Sequence, residues 1–130
     1  MLLLDEVRDA SEGEIVCALT IRPTSTFVRD GSVPCIVALE YMAQSVAAHL
    51  GLRAHRRKHT THSGFLIGAR EVTFAVDALR VGDALEVRVR VIVEDEVRGS
   101  FECQVLREGE VVAAGTLSVY RGSVVSIEGT

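Results

Sequence analysis

The sequence has 130 residues, of which 48% are hydrophobic and 25% are charged, with a formal net charge of -4. This length suits one domain with a single core, the acidic balance argues against a nucleic-acid-binding protein, and no apolar run reaches the roughly 20 residues that span a bilayer. Three irregularly spaced cysteines fit a reducing compartment better than a disulfide framework. We expect one cytoplasmic domain without a membrane span.

Two β-strands are predicted before the first proline. The first covers Leu2 to Val7 and ends in a polar turn. The second covers Glu14 to Ile21, where the side chains expected to face the core recur at every second position. Cys17 lies in this second strand and is predicted to fill the core. An irregular stretch from Arg22 to Val33 follows.

A helix is predicted from Cys35 to Gly51. Pro34 precedes it, where a missing N–H is tolerated, and glycine is a typical helix end. Apolar residues recur at spacings of three and four and form one stripe, which consists of Ile36, Leu39, Ala43, Val46 and Leu50. Because many other helix residues are small, we expect a sheet to wrap around this helix.

A basic segment, residues 53–63, separates the helix from the second half of the chain. It contains three of the four histidines, His55, His59 and His62. Their spacing of four and three residues invites a metal interpretation, but no carboxylate or cysteine lies nearby. No metal site is therefore predicted.

From Gly64 onward the pattern predicts strands alone, with alternating valines most regular in the second of them. A turn over Leu79 to Asp83 joins the first two strands, Glu108 and Gly109 form a hairpin between the last two, and Cys103 is predicted to fill the core. The four predicted strands are Phe65–Phe74, Ala84–Glu94, Ser100–Arg107 and Val111–Tyr120. Two strands, one helix and four strands predict an α+β domain, an antiparallel sheet around one long central helix.

Three segments carry a resemblance to a known family. They are Met1–Val7, Val33–Gln44 with its Glu-Tyr-Met-Ala-Gln run, and Phe65–Phe74 followed by Val81-Gly82-Asp83. In this order they resemble motifs of the hotdog-fold β-hydroxyacyl-acyl-carrier-protein dehydratases of fatty-acid synthesis. Phe27–Pro34 is more similar to the predicted 3-hydroxyacyl-carrier-protein dehydratases of aryl polyene clusters. The resemblance implies a hotdog domain over residues 1–121. Residues 122–130 carry no firm pattern and are predicted to form a flexible tail.

The resemblance also implies site residues. In the family a histidine base and a helix carboxylic acid dehydrate the substrate, while backbone N–H groups at the helix start stabilise the thioester oxygen. The acid would be Glu40, with Gln44 one turn later orienting it, and the oxygen would meet the N–H groups of Cys35 and Ile36. Beside the apolar stripe, desolvation would keep Glu40 protonated. The alternative is an acid that faces solvent or pairs with an arginine across a dimer.

Three further positions bear on this chemistry. A thiol at a helix start, as at Cys35, is sometimes a nucleophile, but a small buried residue is the preferred interpretation. Thr26 stands fourteen positions before Glu40, where the family has its catalytic histidine. His49 falls roughly on the reverse helix face from Glu40.

The partners implied by the resemblance are acyl carrier protein and the acyl thioester on its phosphopantetheine, with no other cofactor. The cations of the basic segment either steer the acidic carrier protein or a pantetheine phosphate, or form a solvated surface; they are Arg53, Arg56, Arg57 and Lys58. Exposed edge strands predict a dimer, with an identical chain or another hotdog dehydratase. Three functions stay open: a dehydratase, a non-catalytic subunit of a heteromeric dehydratase, and an acyl thioesterase.

Overall fold

The computed structural model describes residues 2–56 and 64–122. Within these ranges the chain forms eight strands, one 3-10 turn and one α-helix. In chain order they are β1 (Glu6–Ala10), β2 (Glu14–Thr20), β3 (Ser32–Pro34), the 3-10 turn (Cys35–Val37), α1 (Ala38–Arg56), β4 (Gly64–Phe74), β5 (Ala78–Arg80), β6 (Ala84–Glu94), β7 (Arg98–Arg107) and β8 (Glu110–Gly122).

Six of the strands form one antiparallel sheet in the order β1-β2-β6-β7-β8-β4. Strands β3 and β5 pair separately as a short antiparallel ribbon next to the helix start. The helix packs across β2, β6, β7 and β8. This arrangement confirms the predicted α+β class with an antiparallel sheet and one central helix.

The core lies between the helix and one face of the sheet. Because successive strand residues point to opposite faces, alternate side chains of β2, β6 and β7 are completely buried, among them Ile15, Val87 and Phe101. The predicted alternation in β6 holds through Val89. Beyond it a register shift between Val91 and Val93 turns the strand, and Val93 is exposed.

The helix differs from the prediction at both ends. It opens with a 3-10 turn and continues five residues beyond Gly51 to Arg56. An ion pair between Arg53 and Glu94 of β6 ties this additional turn to the sheet. The 21-residue segment Cys35–His55 is long and apolar enough to cross a membrane by those two criteria. Core helices pass the same test, and one face of this helix packs on the sheet.

The buried face of the helix is rotated relative to the predicted stripe. Ile36 was expected inside but is 62% exposed, whereas Ser45 and His49 are buried. Ser45 donates a hydrogen bond to the carbonyl oxygen of Tyr41 at 2.8 Å, which offsets the cost of burying its hydroxyl. The His49 ring packs edge-on against Phe101, with ring centroids 5.8 Å apart.

Strand boundaries follow the predictions except near the start and at the ribbon. The first strand begins at Glu6 rather than Leu2. Before it, one backbone N–H donates to a side chain of the helix and another donates to a carbonyl oxygen of β2. Strand β3 was predicted as irregular and pairs with β5, which lies in a predicted turn. The hairpin at Glu108 and Gly109 is confirmed, and both residues have positive φ, as its tight turn requires. Residues 123–130 of the predicted tail lie outside the described part of the chain.

Candidate active site

The predicted acid and its predicted partner lie together on α1. Glu40 is in the first helical turn, and Gln44 follows one turn later. The Gln44 side-chain nitrogen Nε2 donates to the Glu40 carboxylate oxygen Oε1 at 3.4 Å. The Gln44 oxygen Oε1 accepts the backbone N–H of Leu3 at 2.7 Å. The amide is therefore held from one side and points its donor at the carboxylate.

The expectation that this chain shields Glu40 is wrong. The side chain is exposed, and its neighbour on the same helix face, Ile36, is 62% exposed. Ala47 on the helix is also exposed, whereas Ala43 is half-buried against the core, so the surface beside the acid is apolar and largely uncovered. Within the described ranges no arginine or lysine forms an ion pair with Glu40. The site is an acid on an open apolar surface.

The helix start offers one of the two predicted oxyanion donors. The Cys35 backbone N–H already donates to the carbonyl oxygen of Asp77 at 3.0 Å. That bond joins the helix start to the segment before β5, and it argues against a role for this N–H at a substrate oxygen. The Ile36 N–H lies in the first turn, where backbone donors lack partners within the helix, and remains the candidate.

Cys35 itself has the properties of a core residue. Its side chain is buried, and its Sγ lies 3.8 Å from the carbonyl oxygen of Val112. Burial raises the pKa of the Cys35 thiol, which opposes formation of the thiolate that a nucleophile needs. The sequence interpretation of a small buried residue is supported.

Thr26, at the position of the family's histidine, lies near this part of the helix. It lines a cleft of about 150 Å³ together with Leu3 and Tyr41, and Leu3 is bonded to Gln44. The next residue, Phe27, has a φ of 71° and is 53% exposed. A bulky side chain in the left-handed region is strained, and such strain concentrates at functional sites.

Sequence reasoning missed both Phe27 and Tyr41. The Tyr41 side chain is buried, and burial raises the pKa of its hydroxyl, so the phenol stays protonated at neutral pH. Its place directly after Glu40 in the sequence was a usable signal. The backbone conformation of Phe27 leaves no signal in residue types, because the left-handed region is normally occupied by glycine or asparagine.

No described histidine lies beside Glu40. His49 is 1% exposed in the core, on the face that packs against the sheet, and His55 is exposed near the helix end. His59 and His62 lie outside the described residues. Among the side chains that the structure does describe, no group of three histidines, cysteines or carboxylates could hold a metal ion. A base for dehydration is thus missing from the described part of this site.

The predicted carrier-docking cations that the structure describes lie on the helix and not on a loop. Arg53 and Arg56 belong to the last turns of α1. Arg53 is partly buried and forms an ion pair with Glu94, so its charge is already used within the fold. The side chain of Arg56, and residues Arg57 and Lys58, lie outside the described part of the chain.

Solved structures with the same fold include dehydratase and thioesterase proteins. The chain is 29% identical to a chain of the dehydratase heterocomplex ApeI:P from Xenorhabdus doucetiae, with a TM-score of 0.88, covering 95% of this chain and 84% of that one. It is 18% identical to the TT0310 protein from Thermus thermophilus (TM-score 0.68; 90% and 91% covered). It is 13% identical to a hypothetical thioesterase from Streptococcus pneumoniae, solved with coenzyme A (TM-score 0.67; 93% and 88% covered).

These likenesses confirm the predicted hotdog fold, and the last two show the fold alone. A comparison with curated proteins gave no match. The family described as ApeP-like, ApeP dehydratase, matches residues 1–127. Since this match spans nearly the whole sequence, the chain belongs to the ApeP-like dehydratase family.

Proposed function

We propose that the chain is one subunit of a hotdog dehydratase that acts on 3-hydroxyacyl thioesters of acyl carrier protein, in fatty-acid or aryl polyene-type biosynthesis. The observation that carries this proposal is the Glu40 carboxylate, held by Gln44 on an open apolar face of the central helix. Family membership supplies the reaction class, and the side chains supply the acid.

The reaction needs one proton removed and one supplied. A base takes the proton from C2 of the acyl chain, and the electrons of that C–H bond form the C2–C3 double bond. The hydroxyl leaves C3 as water, with a proton donated by Glu40. Negative charge that develops on the thioester oxygen is stabilised by the Ile36 N–H at the helix start.

We propose that a second hotdog subunit completes the site. Ile36, four residues before Glu40, is exposed, Thr26 replaces the family's histidine, and no described histidine is beside the acid. A partner over this surface would bury the exposed apolar side chain, exclude water from around Glu40 and bring the base. The Xenorhabdus relative is described as a heterocomplex, which supports a different hotdog chain as the partner.

The experiment measures enoyl-thioester formation from a 3-hydroxyacyl carrier protein. It compares the wild-type chain, Glu40→Gln, and the matched control Glu96→Gln, whose carboxylate is exposed in the turn between β6 and β7. Each is assayed alone and mixed with a candidate hotdog dehydratase partner. We expect Glu40→Gln to lower turnover of the mixture by about 10²- to 10⁴-fold, the usual contribution of general acid catalysis, and Glu96→Gln to have no effect.

The result with the chains assayed alone separates the remaining alternatives. Activity that appears only in the mixture supports the two-subunit site, and full activity of the wild type alone supports a homodimer. Equal turnover by wild type and Glu40→Gln in the mixture would leave this chain a non-catalytic subunit. Release of free thiol without an enoyl product would identify a thioesterase.

The cytoplasmic location remains a prediction, in keeping with three cysteines that form no disulfide.

A further inference from the structure

Two arginines flank one serine on the β3–β5 ribbon. Ser32 pairs with Arg80 of β5 on one side and with Arg29 on the other, through an isolated antiparallel bridge. Backbone hydrogen bonds in both directions, of 2.8 and 3.1 Å, hold the second pair. Side chains directly opposite each other in antiparallel pairs share a face with Cβ atoms about 5 Å apart. The three side chains therefore form a row, the Arg29–Ser32–Arg80 row.

This row faces outward. The next pair along the ribbon, Val33 and Leu79, is completely buried, and neighbouring strand positions point to opposite faces. Arg29 and Arg80 are exposed, and neither forms an ion pair with a described residue.

The nearby carboxylates leave most of this charge available. Asp83 accepts the Arg80 backbone N–H at 2.8 Å and the Arg107 guanidinium at 3.0 Å, so its charge is used elsewhere. Asp30, in the turn after Arg29, is an exposed acid close to the row in sequence. On a chain with net charge -4, two exposed arginines on either side of a serine make a local cationic surface suited to an anion.

The row leads along the surface to the candidate acid. Strand β3 runs from Ser32 to Pro34, which is exposed. The 3-10 turn follows directly, and its residue Ile36 is 62% exposed. Glu40 lies four residues after Ile36, in the first turn of α1. The surface thus passes from paired cations, over two apolar side chains, to a carboxylate.

We propose that Arg29 and Arg80, with the Ser32 hydroxyl, bind the phosphate of the substrate's phosphopantetheine arm, and that the arm lies over Pro34 and Ile36 toward Glu40. The inference rests on the proposed function for its substrate class. A guanidinium fork matches the oxygens of a phosphate. The Ser32 hydroxyl donates to the Arg29 carbonyl oxygen at 3.4 Å, a long bond that a phosphate oxygen would replace. This places the docking of the carrier's arm at the helix start rather than at the basic segment after the helix.

The test is an equilibrium binding measurement that requires no turnover. The full chain, with and without its partner, is titrated with an S-acyl 4′-phosphopantetheine and with the same S-acyl pantetheine, which lacks the phosphate. The variant is Arg29→Ala/Arg80→Ala. The control is Arg8→Ala/Arg88→Ala, which removes the same charge from exposed pairs on β1 and β6. Circular dichroism checks that each variant is folded. We expect no change in folding, because all four substituted side chains are exposed.

We expect wild type and control to bind the phosphorylated ligand about tenfold or more tightly than the unphosphorylated one, as charge-assisted contacts provide. The Arg29→Ala/Arg80→Ala variant is expected to bind both ligands alike. Equal affinities of the wild type for both ligands, or a preference that persists in the variant, would overturn the proposal.

The same variants distinguish the phosphate from the rest of the carrier. With holo-carrier protein, which carries the arm, the double variant is expected to lose affinity; with apo-carrier protein, which lacks it, the variant and wild type are expected to bind equally. An equal loss for both carriers would overturn the phosphate assignment, because the arginines would then contact the protein surface. These outcomes are independent of whether Glu40 turns out to be the acid.

Discussion

Gln44 accepts a hydrogen bond from the backbone N–H of Leu3 at 2.7 Å, across 41 positions of the sequence. With its oxygen held there, the amide nitrogen is directed to the Glu40 carboxylate at 3.4 Å. One side chain thus fixes both the start of the chain and the candidate acid. The two bonds use opposite ends of the amide, so substitutions can separate them.

Gln44→Glu keeps the size and the acceptor but loses the donor, whereas Gln44→Met loses both. We expect Gln44→Glu to lower dehydration by about tenfold or more, because the acid is no longer oriented. Gln44→Met is expected also to lower the free energy of unfolding by about 1–3 kcal/mol, because the Leu3 N–H loses its acceptor. Steady-state rates and urea unfolding measure the two effects. Wild-type turnover by Gln44→Glu would show that the contact with Glu40 is only structural.

The ion pair between Arg53 and Glu94 provides a test of stability. The side chains are 17% and 7% exposed. Removal of one partner from such a pair leaves the other charge unpaired and poorly solvated. Arg53→Met is expected to lower the free energy of unfolding by about 2–4 kcal/mol, and Arg53→Met/Glu94→Gln to recover most of that loss. A double-mutant cycle by urea unfolding measures the coupling.

The carrier-docking alternative predicts a different pattern for the same residue. If Arg53 contacts the carrier, Arg53→Met would weaken carrier binding while leaving stability unchanged. We expect the reverse, because its guanidinium is already paired within the fold. The lost stability and the retained binding can be measured on one protein preparation.

The strands could be predicted from the sequence because burial on one face imposes a period of two. The three-residue strand β3 is too short to show that period. Ile36 was assigned to the core because it is apolar and correctly spaced, yet it is exposed. Periodicity identifies apolar positions but not what covers them, so an exposed apolar surface resembles a core face in the sequence.

The site could be predicted only as far as the family resemblance, which singled out Glu40, and local spacing reach. Glu40 and Gln44 lie one turn apart on any helix, and they are paired here. The bond from Cys35 to Asp77 and the pair of Arg53 with Glu94 join segments about forty residues apart. Such contacts depend on tertiary packing, which residue spacing does not encode, and both altered the predicted roles.

The three thiols are expected to be unreactive in the folded protein. Burial raises the pKa of Cys17 and Cys35, and raises the pKa of Cys103 to about 12. Since the thiolate is the reactive form, a disulfide reagent at pH 8 should modify none of them in the native state and all three in urea. Rapid native modification that Cys35→Ser abolishes would reopen the nucleophile interpretation of that residue.

Acid is expected to weaken the anchor at the start of the chain. The Arg22 guanidinium, 3.0 Å from Asp5, lowers the pKa of that carboxyl, and the Thr20 N–H also donates to it. A lowered folded-state pKa gives stability that is present above the ordinary value of 3.8 and is lost as pH falls through the folded-state pKa. Wild type should exceed Asp5→Asn in stability at pH 6, and the difference should shrink below pH 4. A difference that is constant with pH would contradict this assignment.

The exposed side chain of Ile36 separates assembly from folding. Because it is 62% exposed, Ile36→Ser is expected to change the free energy of unfolding by no more than about 0.5 kcal/mol. Its burial under a partner would make the same substitution weaken the complex by about tenfold. Val97→Ser is the matched control, because Val97 is 64% exposed in the turn between β6 and β7. Sedimentation of each variant with the partner measures the affinity, and equal affinities for the Ile36 and Val97 variants would place the interface away from the acid.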